Sequence, residues 1–181
     1  MAGLVLVSGL PAAGKSTLCR RLGADLGWPV ISRDRMRATS FGPVDEGLGS
    51  DDGWRIGRTL DLLINHVAGS LLDVGLGAVV DSNFNWVQQA DAIRSLIAER
   101  GVDCFEICLW ASPDVCRSRF IARGEPPWSP ELEAVFELAV SRVREPVLRP
   151  PTPIVEVDTD DLSALDAQYD ALVTAVRSHL A

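Results

Sequence analysis

Short apolar runs alternating with amphipathic segments imply an α/β domain built on parallel strands. Three observations carry this. Runs such as Leu4–Val7, Ala78–Val80 and Ile154–Val157 are too short for helices and rich in β-branched residues. Between them lie stretches whose apolar residues recur every three or four positions, as on one face of a helix. A glycine loop joins the first run to the first such stretch. With 181 residues and 47% hydrophobic content, the chain suits one domain over residues 1–181 with a sizeable core.

The first strand, Leu4-Val5-Leu6-Val7, leads into Gly9-Leu10-Pro11-Ala12-Ala13-Gly14-Lys15-Ser16-Thr17. This matches G-x-x-x-x-G-K-[ST], a loop that binds phosphate. Glycines let backbone N–H groups curl around an anion, and the following helix adds partial positive charge at its N-terminus. Leu18, Leu22 and Leu26 mark that helix. Gly9, Pro11, Ala12, Ala13, Gly14, Lys15, Ser16 and Thr17 are therefore the candidate nucleotide-binding residues. Lys15 reaches the β- and γ-phosphates, and the Ser16 hydroxyl is a ligand for Mg²⁺. Lys15 is also the only lysine among 17 basic residues, where a compact point charge on a thin stem is wanted.

A second strand, Trp28–Ser32, runs directly into Arg33-Asp34-Arg35-Met36-Arg37. Ligands of parallel sheets sit at the carboxyl ends of strands, so Asp34 is placed to accept a proton from an attacking hydroxyl. The same Asp also suits a helix N-cap beside solvated arginines. Residues 40–53 form a glycine-rich acidic loop, either a flap over an acceptor site or plain surface. Ile56, Leu60, Leu63, Ile64, Val67 and Leu71 then give a helical stripe, on which His66 reads as a packing or surface residue.

The third strand, Gly77–Asp81, ends in an acid followed by Ser82-Asn83-Phe84-Asn85. Asp81 can serve the Mg²⁺ site from behind its direct ligands, orient an acceptor or an arginine, or simply cap a helix. A helix through Val87, Ala90, Ile93, Leu96 and Ile97 stops at Gly101, and Cys104–Trp110 is the fourth strand. Ser112-Pro113-Asp114 opens a helix carrying Arg117, Arg119 and Arg123, which runs into Gly124-Glu125-Pro126-Pro127-Trp128. This segment, about 113–130, reads as a lid whose Arg119 and Arg123 could neutralise charge on a transferring phosphoryl group, or as a solvated basic face. A helix from Leu132 to Val143, a strand at Ile154–Asp158 and a last helix to Leu180 complete the chain.

Composition excludes several classes. The net charge of −8 argues against a long nucleic-acid footprint but not against a local basic pocket. No run of apolar residues is long enough to cross a membrane, and no basic leader precedes the first strand, so a cytoplasmic protein is expected. Cys19, Cys104, Cys108 and Cys116 form no C-x-x-C pair and read as reduced, mostly buried thiols.

Gly9–Thr17, Ser32-Arg33-Asp34-x-x-Arg37, Asp81-Ser82-Asn83 and Arg119-x-x-x-Arg123-Gly124 occur in this order over about residues 3–160. The set resembles the P-loop kinase family that includes polynucleotide 5′-kinase domains, zeta-toxin-like kinases and chloramphenicol-phosphotransferase-like enzymes. The resemblance implies a P-loop NTPase fold with a five-stranded parallel sheet in the order 2-3-1-4-5 and a helical lid. It implies ATP and Mg²⁺, with Lys15 and Ser16 holding phosphate and metal and Asp34 as general base. Arg37 would contact the acceptor, Asp81 and Asn83 would support its site, and Arg123, with Arg119, would clamp the phosphates. The expected activity is transfer of the γ-phosphoryl group to a hydroxyl of a small molecule: a nucleoside, sugar or antibiotic, in resistance or biosynthesis. A 5′-OH polynucleotide kinase and a nucleotide-dependent regulatory ATPase are the alternatives.

Overall fold

A computed structural model describes residues 2–41, 51–84, 87–124, 129–142, 146–148 and 152–180. In chain order the elements are β1 (Gly3–Gly9), α1 (Lys15–Leu26), β2 (Val30–Ser32), α2 (Arg33–Phe41), α3 (Asp51–Asp73) and β3 (Ala78–Asp81). There follow α4 (Val87–Arg100), β4 (Asp103–Trp110), α5 (Pro113–Arg123), α6 (Pro130–Arg142), β5 (Ile154–Asp158) and α7 (Leu162–His179). The five strands pair in parallel in the order β2-β3-β1-β4-β5, as expected from the resemblance.

Strand alternation divides the core between two faces. Val5 and Val7 of β1 join Phe105, Ile107 and Leu109 of β4 against Leu18 and Leu22 of α1, Phe136 of α6 and Leu172 and Val176 of α7. Leu4 and Leu6 join Ile31, Ala78 and Val80 against Ile64, Ala68 and Leu72 of α3 and Ile93 and Leu96 of α4. No helix among the described residues is long and apolar enough to cross a membrane.

Three boundaries differ from the sequence reading. The second strand starts at Val30 rather than Trp28, because α1 closes with Gly27 at φ 68°. Trp28 N donates to Gly23 O at 2.9 Å and Gly27 N to Ala24 O at 3.3 Å, so Trp28 still belongs to the helix closure. Of the expected 40–53 loop, residues 40–41 belong to α2 and 51–53 to α3; 42–50 lie outside the described residues. Asp34 is no N-cap, since α2 begins at Arg33 and Asp34 sits inside its first turn. Part of the expected lid, 125–128, also lies outside the described residues.

One element of the core escaped the sequence reading. Glu106, in the middle of β4, is fully buried. Its carboxylate accepts from the backbone N–H groups of Val147 (2.8 Å) and Leu148 (2.7 Å) and from Ser8 Oγ (3.2 Å) and Cys108 Sγ (3.3 Å). Arg94 of α4 donates to Val147 O at 2.6 Å. The 146–148 segment is thus strapped across the second face, and a buried carboxylate survives because four donors surround it. All four cysteines are free. Burial pushes the Cys108 thiol up to about 12, and Cys104 and Cys19 rise for the same reason.

Candidate active site

The loop between β1 and α1 has the geometry its glycines predict. Gly9 adopts φ 144°, and a Cβ there would stand 2.4 Å from Leu109 O, so only glycine lets the loop lie this close to β4. Gly14 adopts φ 100° as the residue before α1, and Ala12 takes a left-handed φ of 66° without glycine's freedom. Gly14 O accepts the first helical bonds, from Thr17 N and Leu18 N, both at 3.1 Å. The Lys15 ammonium is folded into the loop, 5% exposed, and donates to Leu10 O at 2.9 Å. On the other side Thr159, after β5, can donate from its hydroxyl to Ala13 O (3.0 Å) or Trp110 O (3.1 Å), anchoring the loop to the far edge of the sheet.

One carboxylate oxygen links this loop to the second strand. Asp81 Oδ2 accepts from Ser16 Oγ at 2.9 Å and from Ser32 Oγ at 3.1 Å. The sheet order makes this possible, because β3 lies between β1 and β2 with Asp81 level with both Val7 and Ser32. Asp81 is 3% exposed, so its charge is held by these hydroxyls at the inner wall of the site. Next to it, Ser82 N donates to Val7 O, and Ser82 Oγ accepts from Gln89 Nε2 at 2.7 Å. A hydroxyl and a carboxylate at one spot beside a phosphate loop are hard oxygen donors that fit Mg²⁺. No trio of His, Cys, Asp or Glu among the described residues could hold a metal by protein alone. A Mg²⁺ ion here would be shared with nucleotide phosphates.

Helix α2 leaves Ser32 directly, so the Ser16–Asp81–Ser32 bridge sets where its first turn lies. Asp34 is exposed in that turn, near the helix's positive end. Its arginine neighbours diverge. Arg33 Nε pairs with Asp61 Oδ1 of α3 at 3.0 Å and packs its guanidinium on Gly57. Burial raises the Asp61 carboxyl above its ordinary value while Arg33 pulls it down. Arg35 is exposed. Arg37 is buried, and desolvation together with repulsion from Arg33 weakens its hold on its proton.

The three arginines of α5 take separate places. Arg119 donates to the carbonyls of Thr159 and Asp160, both at 2.8 Å, at the β5 end of the site. Arg123 is exposed in the last turn of α5, which Gly124 closes at φ 72°. Arg117 is turned away, pairing with Asp114, Glu133 and Glu137. His66 is exposed on α3. The structure therefore brings Ser16, next to Lys15 at the end of the loop, against Asp81 of β3, and sets Asp34 and Arg37 one turn apart on α2. It places Arg119 against the β5 turn. Ser32, Asp61, Gln89 and Thr159 were not read as site residues; a hydroxyl closing a strand that feeds an Asp was the available signal for Ser32.

Comparison with known proteins agrees with this fold. Residues 4–146 match the family model described as an AAA domain (AAA_33). A crystal structure of a candidate kinase from Chloroflexus aurantiacus J-10-fl is 31% identical, with a TM-score of 0.76, over 99% of this chain and 96% of that one. Kti12 from Chaetomium thermophilum, in complex with ADP-AlF3, gives a TM-score of 0.68 at 20% identity over 98% of this chain and 99% of that one. The Mycobacterium tuberculosis APS kinase CysC, in complex with AMPPNP and APS, gives 0.62 at 20% identity over 96% and 98%. The last two likenesses concern the fold alone. No curated protein sequence matches. The family match spans most of the chain, its sheet order is that of the P-loop NTPase fold and its phosphate loop is intact, and the chain belongs to the AAA-domain family of P-loop kinase folds.

Proposed function

We propose that the protein is an ATP-dependent phosphotransferase that moves the γ-phosphoryl group to a hydroxyl of a small molecule. One observation carries the reading. The nucleotide loop and the start of α2 share a single carboxylate oxygen, through Ser16 and Ser32 on Asp81. That bridge ties the first turn of α2, where an exposed Asp34 stands, to the loop that holds phosphate.

Each residue has a role in this scheme. The loop N–H groups and Lys15 hold the β- and γ-phosphates, and Lys15 offsets their charge. Ser16 and Asp81 would hold Mg²⁺, which when bound supplies charge neutralisation at the phosphate oxygens. Asp34 accepts the proton of the acceptor hydroxyl as its oxygen bonds to the γ-phosphorus and the bond to the β-phosphate breaks, releasing ADP. Asp34 is suited to this because neither adjacent arginine pairs with it: Arg33 is committed to Asp61 and Arg35 is exposed. Arg123, at the end of α5, reaches the transferring group when the lid segment closes, and Arg119 fixes the nucleotide side. Small hydroxylated acceptors fit better than long nucleic acid, given the net charge of −8.

Steady-state kinetics of Asp34→Asn test the base. The expected result is a fall in kcat of ~100-fold or more with nearly unchanged ATP affinity. Wild-type turnover in this variant would remove Asp34 from the chemistry.

A further inference from the structure

Helix α3 shows solvent a face that its sequence leaves largely apolar. Leu60, Ile64, Ala68 and Leu72 recur every four residues on its inner side and are buried. On the outer side Leu62, Leu63 and Val67 are exposed, Leu62 at 59%, and Val74 (71%) and Leu76 (50%) follow just beyond the helix. These are five of the nine large exposed hydrophobics among the described residues. Apolar side chains scattered singly over a surface are ordinary, whereas a contiguous run marks an interface.

The polar residues of this face add little polarity. Thr59 and Ser70 turn their hydroxyls back onto the helix, donating to Arg55 O and His66 O, both at 2.9 Å. From Thr59 to Ser70 the exposed positions hold no Asp, Glu, Lys or Arg, in a chain that is 23% charged. Charge returns only at the ends, with Arg55 and Arg58 towards the start of α3 and Asp73 at its last position.

This pattern is complementary to itself. Arg55 and Asp73 stand nine residues to either side of Ile64. A second copy of α3 laid antiparallel across this level sets each Arg55 opposite the other's Asp73, with Leu62, Leu63 and Val67 between them. Asp73 already receives Arg100 of α4 at 2.9 and 3.2 Å. A carboxylate offers ~4 acceptor positions, so room is left for a further donor. The two ion pairs would lie ~27 Å apart along the helix, so both close only at a shallow crossing of ~20°. A lipid surface fits less well, because a chain with a net charge of −8 is repelled by the anionic membranes that recruit amphipathic helices.

We propose that α3 is the interface of a two-fold homodimer, in which two copies pack antiparallel through the face from Thr59 to Val74 and each Arg55 pairs with Asp73 of the other copy. This goes beyond the kinase reading and does not depend on it, since none of these residues belongs to the phosphate loop or to α2.

Sedimentation velocity of the full chain at rising concentration should show the mass of a dimer. Val67→Glu sets a charge in the middle of the face and should weaken the dimer by ~30-fold or more. Its circular dichroism should remain that of the folded protein, because Val67 is already exposed. A second pair of variants tests the arrangement. Arg55→Glu and Asp73→Arg each set like charges against one another and should each weaken self-association. Mixed in equal amounts they restore both ion pairs, so native mass spectrometry should find the mixed dimer above its random proportion. A monomer at every concentration, a dimer that Val67→Glu leaves unchanged, or mixed dimers at or below the random proportion would each overturn the proposal. Binding to vesicles of phosphatidylcholine and phosphatidylserine that Val67→Glu abolishes would overturn it too, by giving the face to a membrane.

Discussion

Glu106→Gln should loosen the second face of the sheet by an amount the geometry allows us to work out. Glu106 Oε1 accepts from Val147 N and Oε2 from Leu148 N, at 2.8 and 2.7 Å. A glutamine keeps one oxygen, while its –NH₂ meets the second N–H donor to donor. One charge-assisted bond is lost and one buried N–H is left unpaired, at a cost of ~2 kcal/mol. For a domain of this size each kcal/mol shifts Tm by ~2–4 °C, so the expected fall is ~4–8 °C. Glu106→Ala strands both N–H groups and opens a cavity, so ~4 kcal/mol and ~8–16 °C are expected. Thermal melts by circular dichroism at neutral pH read both. A glutamine variant within ~1 °C of wild type would refute the reasoning, because the strap would then not depend on the carboxylate.

Asp81→Asn, with its amide oxygen in the place of Oδ2, keeps the acceptor that both serine hydroxyls use, so stability should hold within ~1 kcal/mol while kcat falls ~100-fold; unchanged turnover would reduce Asp81 to a structural bridge. Thr159→Val cuts the tie between the phosphate loop and β5, and should cost ~1 kcal/mol and raise the KM for ATP severalfold; an unaltered KM would show that the loop holds itself. With the Cys108 thiol pushed up to about 12, its thiolate fraction at pH 8 is ~1 in 10,000. A disulfide-exchange reagent should label almost no thiol in the native protein and all four after unfolding. Because unfolded thiols ionise near ~8.5, the buried ones contribute full stability below that pH and lose it progressively as pH rises towards 12. Rapid native labelling, or stability flat from pH 8 to about 11, would contradict this burial.

The elements were legible because they rest on local pattern, while the strand order followed from the family resemblance. Short apolar runs, period-four stripes and the Gly9–Thr17 loop each fix an element within a few residues, and the loop demands a strand before it and a helix after it. Asp34 and Asp81 were legible because acids that end or follow parallel strands fall at the ligand edge. What stayed hidden are partnerships across the chain. Arg33, Arg35 and Arg37 look alike in sequence, yet one pairs with Asp61, one faces solvent and one is buried unpaired. Glu106 is masked by its apolar neighbours, and its partners arrive 41 and 42 residues later. Arg119 sits four residues before Arg123, as on a solvated face or a lid, and only the fold reveals that it binds the backbone after β5.

The most direct test of the central claim is phosphoryl transfer from γ-labelled ATP with Mg²⁺, run on a panel of anionic and neutral hydroxyl compounds and a 5′-OH oligonucleotide. Label on a small hydroxyl compound, lost in Asp34→Asn, is the predicted result. ATP hydrolysis with no labelled acceptor, or label on the oligonucleotide alone, would contradict it.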